Sequence, residues 1–498
     1  MKKLRILCFL LTLLVFLPML AACNGKGDGS ETNAGMTETG PADMNGLPLA
    51  DFGLKAFTIL SREGTDYEFS GDGAASDRVD EEIIARNTNV EAAYNVEINL
   101  LTEAGEYDQS DIFIDRVRTE AMAGGDGISL ISTHSSYIQS MAIEGLGFNV
   151  YDVPYIDPAG AWWCKQYVDI CTVDNRSFAL IGDITISLYE YMEVCFYNKS
   201  VAEDLASEYP ELQNLPQLAL DYNWTMEKMF ALSNAAISIN DSDNSINTYG
   251  LIINGHALSS IPVAMNVSMA KQDADGKFYF PKSTPAELIS LFDDVLTFCS
   301  QNGIHYPPKN ASSTNAEEGN EVFINNDALF YLQIISEAAS FNNANMETAS
   351  YGVLPFPKAE EGTSTPYYST CRVTLSAVMF PASGKNPEMM GLITEALCRE
   401  SRELIVPVYW EDTLKFRYLS DPEVAKVLDL IRDSLTFDFC QVYTKIIAEN
   451  PYLAFWTCMS SNIVDGEQTS INTYYLGRQV TWQLYLDKMI YDKLATLE

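Results

Sequence analysis

Histidine is almost missing from this chain of 498 residues: His134, His256 and His305 are the whole supply, so no histidine-built metal centre is expected. The ten cysteines form no CxxC pair and show no Cys/His metal spacing. Cys164 and Cys171 are close enough to bridge in an oxidising compartment, whereas Cys195 and Cys398, isolated in apolar company, read as small buried hydrophobes. Positive charge is scarce as well, with 31 Lys and Arg against 68 Asp and Glu and a formal net charge of −37. A field of that sign repels nucleic acid and anionic polymers and leaves neutral or cationic small ligands open. No P-loop, GxSxG or HExxH signature is present. The acidic stretch "NDSDNSINTYG" at 240–250 lacks the sixth-position glycine and twelfth-position glutamate of a calcium loop, and reads as a solvated loop. No cofactor and no catalytic group is therefore expected.

What is present begins with a leader. Lys2, Lys3 and Arg5 precede an apolar run, Ile6 to Leu17, that is too short for a membrane span and fits an export signal over residues 1–22. It stops at "LAAC", which resembles the lipobox of bacterial lipoproteins. The resemblance implies cleavage before Cys23, lipidation of Cys23, and a protein held at the outer face of the bacterial cytoplasmic membrane through that lipid alone. Loss of the three basic leader residues takes the charge to about −40. Residues 23–50, rich in Gly, Thr, Asn and acid, carry no apolar periodicity and read as a flexible tether reaching on the order of 30 Å.

The remaining chain is long enough for two lobes. "LKAFTILS" (54–61) reads as a buried strand, the stretch with Val79, Ile83 and Val90 as a helix, "NVEINLL" as a second strand, "SDIFIDRVRTEAMAGG" as a helix capped by Ser110, and "ISLIS" (128–132) as a third strand. Alternation of this kind predicts an α/β fold with a largely parallel sheet. Ligands of open α/β sheets sit beyond the carboxyl ends of the strands. Thr133, His134, Ser135, Ser136 and Tyr137 follow the third strand and are candidates for a binding loop, with Ser135 or Ser136 also able to cap the next helix. "DADGKFYF" signals a hairpin turn at Asp275 and Gly276.

Further along, "FYNKSVAEDL", "NWTMEKMFALSNAA", "EVFINNDALFYL", "YGVLPFP", "PYYSTCRVTLSAVMFPASGKNPEMMGLITEAL" and "YLAFWTCMSSNIVDGEQT" follow one another. In that order they resemble the extracellular solute-binding proteins of ABC importers, the carbohydrate-binding family that includes maltodextrin-binding protein. The resemblance covers nearly the whole chain after the tether. It implies a two-lobe periplasmic-binding-protein-like fold of type II, with a ligand cleft between lobes joined by hinge strands near "TISLYEY" and "STCRVTL". Residues 51–188 plus 373–420 would form lobe 1, and 189–372 plus 421–498 lobe 2. The implied activity is binding of a sugar or oligosaccharide, without catalysis, by a monomer that serves permease subunits with a separate ATPase. A surface glycoside hydrolase, or a binding protein for a peptide or other non-sugar solute, stays open beside it.

Sugar sites combine stacked aromatics with planar polar side chains. By resemblance, Trp456 with its neighbour Phe455, the pair Phe330 and Tyr331, and Tyr191 fall at cleft positions, with Tyr189 two residues from Tyr191 on the same face of a strand. The family's charged pair in the first loop is replaced here by Ser136 and Tyr137, which departs from maltodextrin specificity. "ESRELIVPVYWEDTLKFRYLSDPEV" is longer than the matching family segment. Arg62, after the first strand, and Arg372, at the second hinge, are candidate planar forks to hydroxyls or a carboxylate. Asp183 is a candidate acceptor for a sugar hydroxyl. Trp224, just before the cap-like Thr225, reads as packing; Trp162 and Trp163 are divided between packing and cleft.

Overall fold

The computed structural model describes residues 44–497, apart from 75, 306–315, 345, 347–349 and 420. The leader, Cys23 and the tether up to residue 43 lie outside the described residues. The chain opens with β1 (Lys55–Arg62), α1 (Asp77–Tyr94), β2 (Val96–Glu103), α2 (Ser110–Met122), β3 (Leu130–His134) and α3 (Ser135–Ile143). There follow β4 (Glu193–Asn198), α4 (Met226–Ala236), β5 (Ser238–Ile239), β6 (Ile246–Ile252), α5 (Gly255–Ala264), β7 (Lys271–Gln272), β8 (Phe278–Tyr279) and α6 (Ala286–Cys299). The last part holds β9 (Ile304–His305), β10 (Ala328–Ile334), β11 (Tyr351–Pro355), β12 (Ser376–Met379), α7 (Pro387–Pro407), α8 (Pro422–Asp433), α9 (Ala454–Ile463) and α10 (Ile471–Tyr485).

These elements build two sheets. The first has the order β12-β3-β1-β2, with β1 parallel to β2 and β3, and β12 antiparallel to β3. The second has the order β11-β4-β10-β6-β5, with β9 added to β6. Within it β6, β9 and β10 run parallel and β4 opposes both β10 and β11. One apolar cluster runs from Leu60 and Ile131 in the first sheet to Phe196 and Leu332 in the second and on to Trp482 of α10. A second cluster fills the other face of the first sheet around Phe57, Leu130 and Val378.

Local chemistry explains the elements. Ser76 accepts from the Val79 amide and starts α1, whose Val79, Ile83 and Val90 are buried as their spacing predicts. The same face buries Arg86, whose guanidinium donates to the carbonyls of Glu68 and Ile184 and to Ser401 Oγ. Thr225 caps α4, and Trp224 is packed in the core with Nε1 donating to Pro355 O at 3.0 Å. Asp273, Asp275 and Gly276 make the β7–β8 hairpin turn.

Several expectations change. Ser110 is the first residue of α2 rather than its cap, because a helical turn, Tyr107–Gln109, precedes it. Residues 44–50 are not part of a free tether: Leu47 is buried, Arg399 Nη1 donates to Asn45 O at 2.8 Å and Asn45 Nδ2 to Glu400 at 2.6 Å. Cys164 and Cys171 are unbridged thiols at the two ends of the short helix Lys165–Cys171. "TISLYEY" does not form a strand; Ser187–Glu190 is a single helical turn, held because Ser187 N donates to Glu68 Oε1 (2.9 Å) and Ser187 Oγ accepts from Ser376 N (2.9 Å).

That turn leads from the first sheet to the second. The chain returns beside it, with Glu193 N donating to Thr370 O (2.8 Å), Arg372 N to Tyr191 O (3.0 Å), and an antiparallel bridge between Met192 and Cys371. A third passage follows α7, which packs on α1, through the wide i→i+5 turns of Val408–Tyr418 to α8 on β11. α9 packs on α5 and α6, whereas the short helix Phe439–Val442 packs on α3, so the C-terminal part touches both halves.

Candidate functional site

Polar side chains gather at or just beside the carboxyl ends of the parallel strands of each sheet. At the carboxyl edge of the first sheet, β1 ends in Arg62 and β3 in His134, and Glu106 stands in the turn after β2. Arg62 Nη1 donates to Glu106 Oε1, and His134 Nε2 lies 3.7 Å from Glu106 Oε2, longer than a hydrogen bond. His134 and Arg62 hold the Glu106 carboxyl below its usual value. Burial pushes the His134 imidazole down to about 4 against the pull of Glu106, so the ring is neutral near pH 7. Arg62 Nε and both His134 nitrogens are buried with no hydrogen-bond partner.

The carboxyl edge of the β6/β10 pair mirrors this arrangement. Gln333 is the penultimate residue of β10, and β6 is followed by Asn254, which caps α5, and then by Gly255 and His256. The adjacent start of β4 supplies Glu193. Arg372, on the returning passage, donates through Nε to Glu193 Oε1 at 3.0 Å and through Nη2 to Gln333 Oε1. Gln333 Nε2 in turn donates to Tyr331 OH at 3.0 Å. Burial raises the Glu193 carboxyl although Arg372 opposes it. Trp456, on α9, is half-buried with its ring centroid 5.9 Å from that of His256. Its indole lies so close to the start of α5 that a Cβ on Gly255 would fall 2.1 Å from Trp456 Cε2; only glycine admits this approach. Burial and Arg372 both lower the His256 imidazole, leaving it neutral as well.

Tyr191 joins the two edges. It sits on the first passage, half-buried, and its hydroxyl is raised to about 12 by burial and by Glu190, while Arg62 and Arg372 both pull it down. Next to it Glu190 accepts from Tyr67 OH, and burial pushes its carboxyl up to about 7. One end of the seam is closed where Lys445 Nζ donates to Tyr107 O (2.8 Å) and Asn450 Nδ2 to Tyr107 OH (3.3 Å). Two arginine–carboxylate pairs, two neutral imidazoles, an indole and a tyrosine are thus gathered at the two edges, with His134 and Glu193 fully buried beneath the seam between them. Such a set offers planar hydrogen-bond forks and a stacking face, and its paired charges suit a neutral polyol.

The other sequence candidates are distributed differently. Thr133 to Tyr137 do not form a loop: β3 runs through His134 and α3 starts at Ser135, because the Ser376–His134 pairing extends the β3–β12 ladder. All five are buried. Thr133 Oγ1 bonds Tyr137 OH, which donates to Gly105 O at 2.8 Å; Ser135 Oγ donates to Val373 O at 2.8 Å rather than capping the helix; Ser136 Oγ has no partner. Tyr137 also borders a polar cavity of about 430 Å³ with Asp111, Arg118, Glu144 and Lys445. Tyr189 does not share a strand face with Tyr191. Its hydroxyl donates to Asp183, which Arg402 also holds at 3.1 Å, and its ring packs on Tyr409 and Trp410. Burial raises the Asp183 carboxyl to about 6.

Phe330, Tyr331 and Phe455 are buried in the core of the second sheet rather than exposed to the seam. Phe330 packs on Trp224, Tyr331 on Phe323 and Phe341, and Phe455 edge-on against Phe292. A central strand covered on both faces buries alternate side chains on each side. Trp163 is buried with Nε1 on Glu395, and Trp162 lies under the Arg399 guanidinium at 4.0 Å. Sequence reasoning missed Glu106, Glu193, Gln333 and His256. For His256 a signal existed: "IINGHA" repeats the apolar pair, two small residues and histidine of "LISTHS". Among the described residues no cluster of three or more His, Cys, Asp or Glu is arranged to hold a metal ion, and no helix is long and apolar enough to cross a membrane.

No protein-family model matches the chain, and no curated protein does. Its architecture, however, is shared with solved structures. The sugar-binding protein MalE from Xanthomonas citri superposes with a TM-score of 0.58 at 12% identity, over 88% of this chain and 99% of that one. The galacto-N-biose-/lacto-N-biose I-binding protein of the ABC transporter from Bifidobacterium longum, in complex with lacto-N-biose, gives 0.56 at 12% identity, over 88% and 98%. An ABC substrate-binding protein from Listeria monocytogenes, in complex with cycloalternan, gives 0.52 at 13% identity, over 89% and 100%. The chain has the two-lobe α/β fold of these proteins.

Proposed function

We propose that the chain is an extracytoplasmic solute-binding protein of an ABC importer, which closes two lobes around a sugar or oligosaccharide and delivers it to a permease driven by a separate ATPase. The observation that carries this reading is the pair of carboxyl edges that meet across Tyr191 with planar polar forks and the Trp456 indole. Solved proteins of the same fold that are named as sugar binders support it. Residues 51–188 with 373–420 form one lobe and 189–372 with 421–498 the other. The paired passages at residues 187–193 and 370–376 act as the hinge, and a ligand that touches both edges shifts the balance toward closure. No bond is made or broken. Cys23 carries a lipid that keeps this monomeric receptor at the outer face of the cytoplasmic membrane, beside its transporter.

A calorimetric screen of neutral mono- and oligosaccharides against the full chain tests the reading. Saturable binding is expected, with the saccharide recovered intact after prolonged incubation. Heat with peptides and none with any saccharide would turn the assignment to a non-sugar solute. Turnover lost on replacing one seam carboxylate would make the protein a glycoside hydrolase. For the anchor, Cys23→Ser is expected to abolish incorporation of a labelled fatty acid and release the protein from membranes; equal retention without label on either form would remove the lipid.

A further inference from the structure

Away from the seam, the second sheet's helices leave a cavity of about 820 Å³ between α4, α6 and the segment after α5. Its floor is apolar: Met226, Met265, Val295 and Phe298 are buried, and the Phe230 ring lies on that of Phe298 with centroids 3.9 Å apart and planes 13° from parallel. The rim carries carboxylates on facing helices, Glu227 from α4 and Asp294 and Glu287 from α6. Lys271 neutralises Glu287 at 2.8 Å. Among the described residues Glu227 and Asp294 have no ion pair, and no Lys or Arg lines the cavity.

We propose that this cavity is a second binding site, for an organic cation with an apolar body, of the alkyl- or arylamine or quaternary ammonium class. The volume lies within the range of small-molecule sites, which pair an apolar floor with a few polar groups that fix orientation. Thioethers and stacked rings accept an alkyl or aryl body without demanding hydrogen bonds. Two unpaired carboxylates across the mouth complement one positive charge, and the −37 field of the chain concentrates cations and repels anionic amphiphiles of the same shape.

The probe is octyltrimethylammonium below its micelle-forming concentration, titrated calorimetrically into the full chain. Saturable 1:1 binding is expected. The surface double variant Glu227→Gln/Asp294→Asn weakens it about tenfold or more, and Leu291→Trp, which fills the cavity from its half-exposed wall, abolishes it. Trp456→Ala, in the seam, leaves it unchanged, and the double variant leaves saccharide binding unchanged, so this site and the sugar reading fail independently. The proposal is overturned if no saturable heat appears at probe concentrations on the order of 1 mM, if 1-octanol or octyl sulfate binds equally well, if the double variant binds the probe as the native chain does, or if Trp456→Ala removes the binding.

Discussion

Arg62–Glu106 and Arg372–Glu193 are the same ion pair in two settings. In the first the arginine side chain is 4% exposed and its carboxylate 59%; in the second the arginine is 11% exposed and the carboxylate fully buried. Glu106 regains water if its partner leaves, and Glu193 does not. The first edge is otherwise tied into its own lobe through the Thr133, Tyr137 and Gly105 bonds and the Ser135 to Val373 bond. The second edge is held by Arg372, a residue of the passage between sheets, and carries the half-exposed Trp456. Equivalent chemistry therefore makes a charged wall tied to the first sheet on one side, and on the other an aromatic face beside the passage between the sheets.

The largest expected effect follows from the buried carboxylate. Arg372→Met leaves Glu193 uncompensated and is expected to lower stability by about 3–5 kcal/mol, whereas the lost pair in Arg62→Met contributes no more than about 1 kcal/mol. Chemical denaturation of both variants checks this, and equal losses would erase the difference between the edges. Next, Trp456→Ala is expected to reduce saccharide affinity by about 2–4 kcal/mol, roughly 30- to 1000-fold, with a small change in thermal midpoint. Its neighbour Phe455→Ala, which opens the core, should do the reverse. Calorimetry and thermal melts on both variants would expose a Trp456 that acts only in packing.

Titration sharpens the comparison with the hinge. Glu190 is raised from 4.5 to about 7 by burial. Between those values the folded protein holds a proton that the unfolded chain has released, so this group makes stability fall as pH rises through the window. Glu190→Gln, which still accepts from Tyr67, is expected to be more stable than the native chain at pH 8, by up to about 3 kcal/mol, and equal to it at pH 4. His134 acts oppositely: lowered to about 4, it makes stability rise with pH between that value and 6.5. Stability curves of the two chains that stay parallel from pH 4 to 8 would remove Glu190 from this role. The smallest effect is expected for Gly255→Ala, whose added methyl displaces the Trp456 indole and weakens saccharide binding by about 1–2 kcal/mol, with no such loss in a Trp456→Ala background.

Much of the strand and helix pattern was legible because these elements are set by local signals. Val79, Ile83 and Val90 mark one helix face, Thr225 caps α4, and the parallel order of β1, β2 and β3 follows from strands alternating with helices. The first passage was not legible. "TISLYEY" alternates like a strand, yet its conformation depends on Glu68 and Ser376, far away in sequence, which seize Ser187 and turn the segment into a helix. Phe330 and Phe455 look like cleft aromatics in sequence because an exposed ring and a core ring have the same composition; burial on both faces of a central strand hides Phe330, and packing of α9 on α6 hides Phe455.

The sequence by itself determined the α/β class, the apolar N-terminal run that stops at Cys23 and the excess negative charge, since each depends on residue types and short-range spacing, whereas the two-lobe order of segments was implied by the family resemblance. Only the tertiary structure decided that Arg62 meets Glu106 and Arg372 meets Glu193, that His134 and His256 are neutral, and that Gly255 lies under Trp456. These are contacts between residues 44 to 201 positions apart. Their energies depend on how much water each group loses, which no local pattern encodes.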